Sequence, residues 1–481
     1  MNRLRFLPHR LSLALLAALV PGLPQADTMT APATAPVASS CPDIADHAEV
    51  TLAQLVDRAL CANIDTRAAW QRTRTQTAQV GIARSAYYPS LNASASQSRS
   101  LGERSTGSDP DQTSIGLSAD WLLWDFGGRR ANLEQTRQTL AALLASYDAR
   151  SQQVALTAVQ AYYQRLASGA ALTAAQASVD AAEETAKAAR QRVVVGVGTR
   201  EDELQAETAL AQARLTQIQR QGDVASADGQ LAVVASYPAN RAIRLADSLP
   251  GPTSSAPPPL DSLLAQALRL RPDRLAQQRS IAAAESDLDR IAAQALPRLS
   301  VSASRGDSRD DDGRSDTGQV ALTASLPLFT GFQQRHQEKA AQSQVESQKL
   351  ELQRIEQQVS LDVWLAWQSL NTAQARVGAT DSLLAAARES NRAALARYRA
   401  GNTKSHGFSP LKSISGQRGR VSNALMAAPD AHTLDWHTTA YRSTVRRTAP
   451  RRRKTPPASL KFLNKTLSDC FRRSEKTKAC L

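Results

Sequence analysis

Between Tyr87 and Arg130 apolar and polar residues alternate along two runs separated by a polar loop. Leu91, Ala93 and Ala95 alternate with Asn92, Ser94 and Ser96. After the loop, Ile115, Leu117, Ala119, Trp121 and Leu123 alternate with Ser114, Gly116, Ser118 and Asp120. A period of two predicts strands with one apolar and one polar face, here a hairpin over residues 90–124. Each run is about ten residues, the length of a tilted strand that crosses a bilayer core.

The pattern returns over residues 298–328. Leu299, Val301 and Ala303 alternate with Ser300, Ser302 and Ser304, and Val320, Leu322 and Leu326 follow the loop, with Thr323 on the polar side. Pro89 aligns with Pro297 at an offset of 208, and Leu123 with Leu328, Arg130 with Arg335 and Gly196 with Gly401 at 205. The chain is an internal duplication. Residues 102–112 and 305–316 are expected to be solvated loops. The Arg-Gly-Asp triplet and acidic run of the second loop lack the ligand spacing of a calcium site.

Each hairpin leads into a long stretch with helical composition, residues 129–195 and 333–400, the first with one glycine and no proline. A helix of that length extends about 100 Å, too long to be covered except by other helices side by side. Leu140, Tyr147, Val154 and Ala161 recur every seven residues, as do Val345, Leu352, Val359 and Ala366, which predicts coiled-coil-like packing. Gly196 and Gly198 end the first helix, and Thr199 with Asp202 forms a capping-box pattern that starts another over residues 200–235. Leu204, Ala211 and Ile218 are expected to carry the seam onward. Helices over residues 51–86 and 260–294 precede the hairpins, and residues 237–259, dense in proline, form a linker between repeat 1 (51–236) and repeat 2 (260–401).

Ahead of the repeats, residues 1–26 read as a secretory signal, with Arg3, Arg5 and Arg10 before the apolar run from Leu11 to Val20. Residues 27–50 form a flexible segment. Cys41 and Cys61 bracket a short helix and are read either as a disulfide or as two free thiols. No later stretch has the 18 apolar residues of a membrane-spanning helix, so a membrane role calls for a barrel. Four strands cannot close one, whereas three chains supply twelve. Asn92, Ser94, Ser96, Ser118, Asp120, Ser300, Ser302 and Thr323 would then line the pore. Trp121, Trp124 and Phe329 mark strand ends, where an aromatic girdle would lie; packing at the strand-to-helix junction is the alternative for Trp124 and Phe329.

Charge separates the last part of the chain from the rest. Residues 402–481 hold 17 lysines and arginines against 4 acidic residues, +13 of the total +14. They show no heptad and no alternation. No catalytic constellation, metal-ligand spacing or phosphate-binding loop is present, so the expectation is a protein that is not an enzyme and needs no cofactor.

Two membrane-sized hairpins, each joined to a helix of about 100 Å, resemble the TolC-like outer-membrane efflux and secretion proteins. The resemblance implies a fold that is mostly α with membrane β: a homotrimer whose twelve-stranded barrel in outer-membrane lipid continues into a periplasmic helical tunnel. It also implies that Val195, Gly196, Val197, Gly198 and Thr199 form a tip that docks a periplasmic adaptor protein. The cysteine-flanked first helix looks like the type I secretion branch. There an inner-membrane ABC transporter drives a protein cargo, such as an adenylate cyclase–haemolysin toxin, out of the cell. A multidrug or metal efflux duct is the alternative, and a soluble coiled-coil scaffold with a basic tail a distant one. After Gly401 the resemblance stops, before the acidic gate residues of the family's second tip. Residues 402–481 are read as a basic arm, a family-specific extension or, as we favour, an out-of-frame tail; nucleic acid is not an expected partner.

Overall fold

The computed structural model describes residues 41, 43, 49–99, 111–246, 258–310 and 313–399. All lie in one of the two units into which the chain divides, Met1–Ala431; the other, His432–Leu481, is outside the described residues. So are the expected signal 1–26, nearly all of segment 27–50 before Glu49, most of loop 102–112, the middle of linker 237–259 and the whole tail 402–481.

In chain order the elements are β1 (Glu49–Val50), α1 (Leu52–Ala62), α2 (Ile64–Ser85), β2 (Ser90–Arg99), β3 (Asp111–Trp124), α3 (Gly128–Val194), α4 (Arg200–Val234), β4 (Arg244–Leu245), α5 (Leu260–Leu270), α6 (Pro272–Ala293), β5 (Arg298–Asp310), β6 (Gly313–Ser325) and α7 (Gln333–Arg399). The duplication is exact in helix length: 11 residues for α1 and α5, 22 for α2 and α6, 67 for α3 and α7. β2, β3, β5 and β6 form one antiparallel sheet in that order.

The stretches 51–86 and 260–294 are each two helices, not one. Asn63 and Arg271 adopt extended backbone (φ −60°, ψ 134° and φ −62°, ψ 125°). In the first copy the Asn63 side chain accepts the Asp65 N–H at 2.8 Å and caps the second helix. In the second, Pro272 occupies the first helical position and biases Arg271 away from helix.

Residues 305–316 are not a loop. Both strands run through the charged stretch, and only 311 and 312 lie outside the described residues. Diagonal cross-strand pairs join Arg305 to Asp316 at 2.7 Å and Arg314 to Asp307. At the other end β6 stops at Ser325 rather than continuing to 328, because Pro327 has no N–H to give a ladder.

The largest apolar core lies where α1, mid-α3 and the end of α4 meet: Val50, Leu55, Tyr162, Leu166, Leu231 and Ile243 are buried there. β1 and β4 pair in parallel at its edge, too short for a sequence period to reveal. The α3 seam continues as read, with Val154, Ala161, Ser168, Ala175 and Ala189 buried at seven-residue multiples. On α4 the period holds but the phase does not. Glu203, Ala206, Ala227 and Leu231 face α3, while Leu204 and Ile218 are exposed. The one-residue shift puts the second apolar stripe on the outer side of the helix pair. Among the described residues no helix is long and apolar enough to cross a membrane.

Candidate functional site

The sheet has two chemically different faces, and register fixes which residues share each. Asn92, Ser118, Ser304 and Gln319 fall in one row; Ser94, Gly116, Gly306 and Thr317 in the next; Ser96, Ser114, Ser308 and Ser315 in a third. Toward the helices, Asp120 pairs with Ser302 and Ser300 with Thr323. All eight candidate pore-lining residues therefore lie on one face. The Ser96 and Ser114 hydroxyls are 2.8 Å apart. Leu122, beside a register shift, interrupts the polar surface.

The opposite face carries Leu91, Ala93, Ala95, Ile115, Leu117, Ala119, Trp121, Val301, Ala303, Val320 and Leu322, and its large side chains are uncovered: Leu91 is 71 % and Val320 78 % exposed. Its limit away from the helices is stepped. Apolar residues reach Ile115 on β3, whose partner on β5 is Asp307, but end at Ala303 on β5, four residues nearer the helices. Four residues are about 13 Å along a strand. The offset is one step between the two hairpins, since the limit falls in a single row on β2 and β3 (Ala95 with Ile115) and in a single row on β5 and β6 (Ala303 with Val320).

At the helix end, each strand enters its helix through two successive left-handed residues, Phe126 and Gly127 in one copy, Gly331 and Phe332 in the other. Arg129 fastens the first junction. Its guanidinium donates to the carbonyls of Leu122 (2.6 Å) and Leu123 (3.0 Å) and lies over the Tyr87 ring, while its own N–H donates to Asp125. Nothing in the pattern of polar positions marked this residue. Trp124 packs edge-to-face on Phe126, and Phe329 on Phe332, yet both strand-end rings remain exposed. Both readings of these aromatics therefore describe contacts they can make at once.

The far end of α3 is closed by a Schellman motif. Gly196 has φ +76°, its N–H donates to Val193 and the Val197 N–H to Arg192. A Cβ on Gly198 would lie 3.0 Å from the Arg192 Cβ and 3.1 Å from the Arg192 and Val193 backbone, so any larger residue there would push the end of α3 by a few tenths of an ångström. Thr199 then caps α4, accepting the Asp202 N–H while Asp202 accepts the Thr199 N–H. Val194, Val195 and Val197 project from this turn, 80, 69 and 69 % exposed. Beneath them Glu203, with a side chain only 5 % exposed, accepts from Arg200 at 2.5 Å and from Arg190 at 3.2 Å; Arg190 also donates to Glu207. The Arg200 hydrogen bond, aided by Arg190 and opposed by burial, holds the Glu203 carboxyl below its ordinary value. A buried carboxylate beside two arginines was not foreseen, because the assumed seam phase put Leu204 inward instead.

Cys41 and Cys61 form a disulfide with Cα atoms 5.7 Å apart. Nearby, Arg58 and Arg241 lie over the Tyr237 ring at 4.6 and 3.9 Å, and the Tyr237 hydroxyl meets Asp43. Among the described residues no group of three or more His, Cys, Asp or Glu side chains is placed to hold a metal.

Residues 55–235 and 263–407 match the model of the family described as outer membrane efflux protein. Protein CyaE of Bordetella pertussis is 31 % identical over 344 residues, 70 % of this chain and 72 % of that one. Outer membrane efflux protein BepC of Brucella suis is 28 % identical over 328 residues, 65 % of this chain and 68 % of that one. In fold, the open state of the Neisseria gonorrhoeae MtrE outer membrane channel superposes with a TM-score of 0.68, covering 80 % of this chain and 87 % of that one at 23 % identity.

Proposed function

The chain belongs to the outer membrane efflux protein family, and from that premise we propose that it is the outer-membrane exit duct of a type I protein-secretion system. The observation that carries the reading is the two-faced sheet with both edge strands open, joined to 67-residue helices. Open edges are not tolerated in lipid. Three copies would supply twelve strands, β6 of one chain meeting β2 of the next. The apolar face would meet lipid and the serine-rich face would line water. The step in the apolar limit between the two hairpins supports this, since strands tilted in a barrel need a boundary that shifts along the strands from one side of the sheet to the other. The exposed α4 stripe of Leu204, Leu215 and Ile218 supports a neighbouring helix from another copy.

With no group for energy transduction assigned to it, the duct would be passive. The valines of the tip would meet the adaptor of an inner-membrane ABC transporter, with Val195, Gly196, Val197, Gly198 and Thr199 as the docking turn. The likeness to CyaE supports protein cargo such as a toxin. The likeness to BepC, named an efflux protein, favours a second reading as the duct of a multidrug or metal pump. A soluble scaffold is set aside by the family assignment. The family match ends at residue 407, which supports reading residues 402–481 as out of frame with the second tip.

Deletion of the gene in the native organism separates the two readings. The secretion reading expects one large protein to vanish from the medium and accumulate inside the cell, with drug and metal tolerance unchanged. Lost tolerance with an unaltered medium would establish the efflux reading instead.

A further inference from the structure

The polar face of the sheet is almost free of charge, and its exceptions stand at the helix end. From the row of Asn92 and Ser118 out to the row of Ser96 and Ser114, every position on that face across the four strands is Ser, Thr, Asn, Gln or Gly. The alternation along β5 next reaches a charge at Asp310, its last residue, about 27 Å beyond Ser302. Toward the helices two charges appear. Asp120 lies between Ser90 and Ser302 in the ladder, and Arg298 lies two positions before Ser300, opposite Ser325. Both are exposed, and neither forms an ion pair with a described residue.

The surroundings leave each charge its own sign. Around Asp120 the same face holds Ser90, Ser118, Leu122, Ser300, Ser302 and Ser304, none of them charged. Around Arg298 it holds Ser300, Thr323 and Ser325. Asp125, next after Trp124 at the adjoining strand end, is turned to Arg129: its carboxylate accepts the Arg129 N–H at 2.6 Å, and its side chain is only 13 % exposed. Four residues along the strand and one strand across put the Asp120 and Arg298 backbones about 14 Å apart. A charge on a wetted wall acts over the screening length, about 10 Å at 0.1 M salt. Arg298 and Asp120 therefore set the potential on successive stretches of the face, and the row of Ser94, about 13 Å beyond Asp120, lies outside the reach of both.

We propose that Arg298 and Asp120 form a charge collar at the base of the barrel, basic on the tunnel side and acidic on the outer side, and that the barrel discriminates by charge there and not along its serine wall. This rests on the duct reading, which turns the polar face to water and makes the helix end the inner end. Three copies would supply three of each charge. Cargo leaving the tunnel would meet guanidiniums first, carboxylates next, and then a wall of hydroxyl and amide groups. Acidic segments are attracted at the first step and basic ones at the second, so a polypeptide of mixed charge finds one favourable step for either sign. The neutral wall beyond holds neither.

The local potential is read in the full-length protein in intact outer membranes from a reporter cysteine at one of two places. Ser300→Cys lies about 7 Å from Arg298 along the strand and about 8 Å from Asp120 on the diagonal; Ser94→Cys lies on the serine wall. Rates of modification by a cationic and an anionic methanethiosulfonate are measured at about 0.1 M salt, the protein without a reporter giving the background. At Ser300→Cys, Arg298→Gln is expected to raise the cation-to-anion rate ratio about twofold and Asp120→Asn to lower it about twofold, the scale of one unit charge at that distance in screened water. Arg298→Lys and Asp120→Glu should keep the ratio, and Ser94→Cys should report no such shift in any variant. An unchanged ratio at Ser300→Cys in either neutral variant, or an equal shift at Ser94→Cys, overturns the collar and leaves the duct reading standing. Failure of both reagents to reach either cysteine, in protein present in the outer-membrane fraction, overturns the duct reading and this proposal with it.

Discussion

Glu203 shows how one side chain sets the geometry of the docking turn. The charge-assisted hydrogen bond from Arg190 ties the first turn of α4 to the end of α3, while that from Arg200 fixes the same carboxylate within the first turn of α4. Its carboxyl is held below the ordinary value of 4.5, Arg200 being the main cause. A depressed carboxylate stabilises the fold above its unfolded value, and that contribution is lost as pH falls through the lower folded value. Amide protection of Val193–Val197 should therefore persist at pH 5 and fall only on further acidification. Glu203→Gln should exchange these amides faster at pH 7 and lose the acid-side step. Hydrogen exchange across a pH series checks this; a glutamine variant with the wild-type profile would remove Glu203 from the clamp.

At the scale of elements, strict periods were legible and exceptions to them were not. The strands between Ser90 and Trp124 and the two long helices were visible because each repeats one period many times. The phase of α4 was misjudged by one residue because the inward position holds Glu203, a charged residue that no hydrophobic pattern selects. The strands through Arg305–Asp316 were hidden for a related reason: their alternation is between charged and small residues, and its sense lies in cross-strand pairing. Nor could a period reveal β1 and β4, which pair across nearly 200 residues, or the Arg129 junction, whose side chain bonds backbone carbonyls that carry no pattern. The disulfide fastens the segment before β1 to α1, closing a separation of 20 residues. Loop closure of that size contributes about 3 kcal/mol. Reduction, or Cys41→Ser/Cys61→Ser, should lower unfolding stability by about 2–4 kcal/mol. Chemical denaturation in detergent checks this, and an unchanged midpoint would show that the core around Leu55 and Leu231 holds the segment without it.

For the whole molecule, the duplication decides what is complete and what is shared. Each copy supplies one hairpin and one 67-residue helix, and neither copy nor chain can satisfy the outer strand edges alone. The near-neutral first 401 residues, 41 basic against 40 acidic, suit a surface that meets lipid and other copies; the basic excess belongs to the tail. The central claim is that the serine-rich face meets water while the opposite face, at the same depth, meets lipid. Single cysteines introduced one at a time at Ser94, Ser118, Ser302, Leu117, Ala119 and Val301, and treated in intact outer membranes with a membrane-impermeant thiol reagent, test it directly, the unsubstituted protein giving the background. The account predicts labelling at Ser94, Ser118 and Ser302 and protection at Leu117, Ala119 and Val301. Equal labelling of both sets would mean that the sheet does not separate lipid from water, and the duct reading would be wrong.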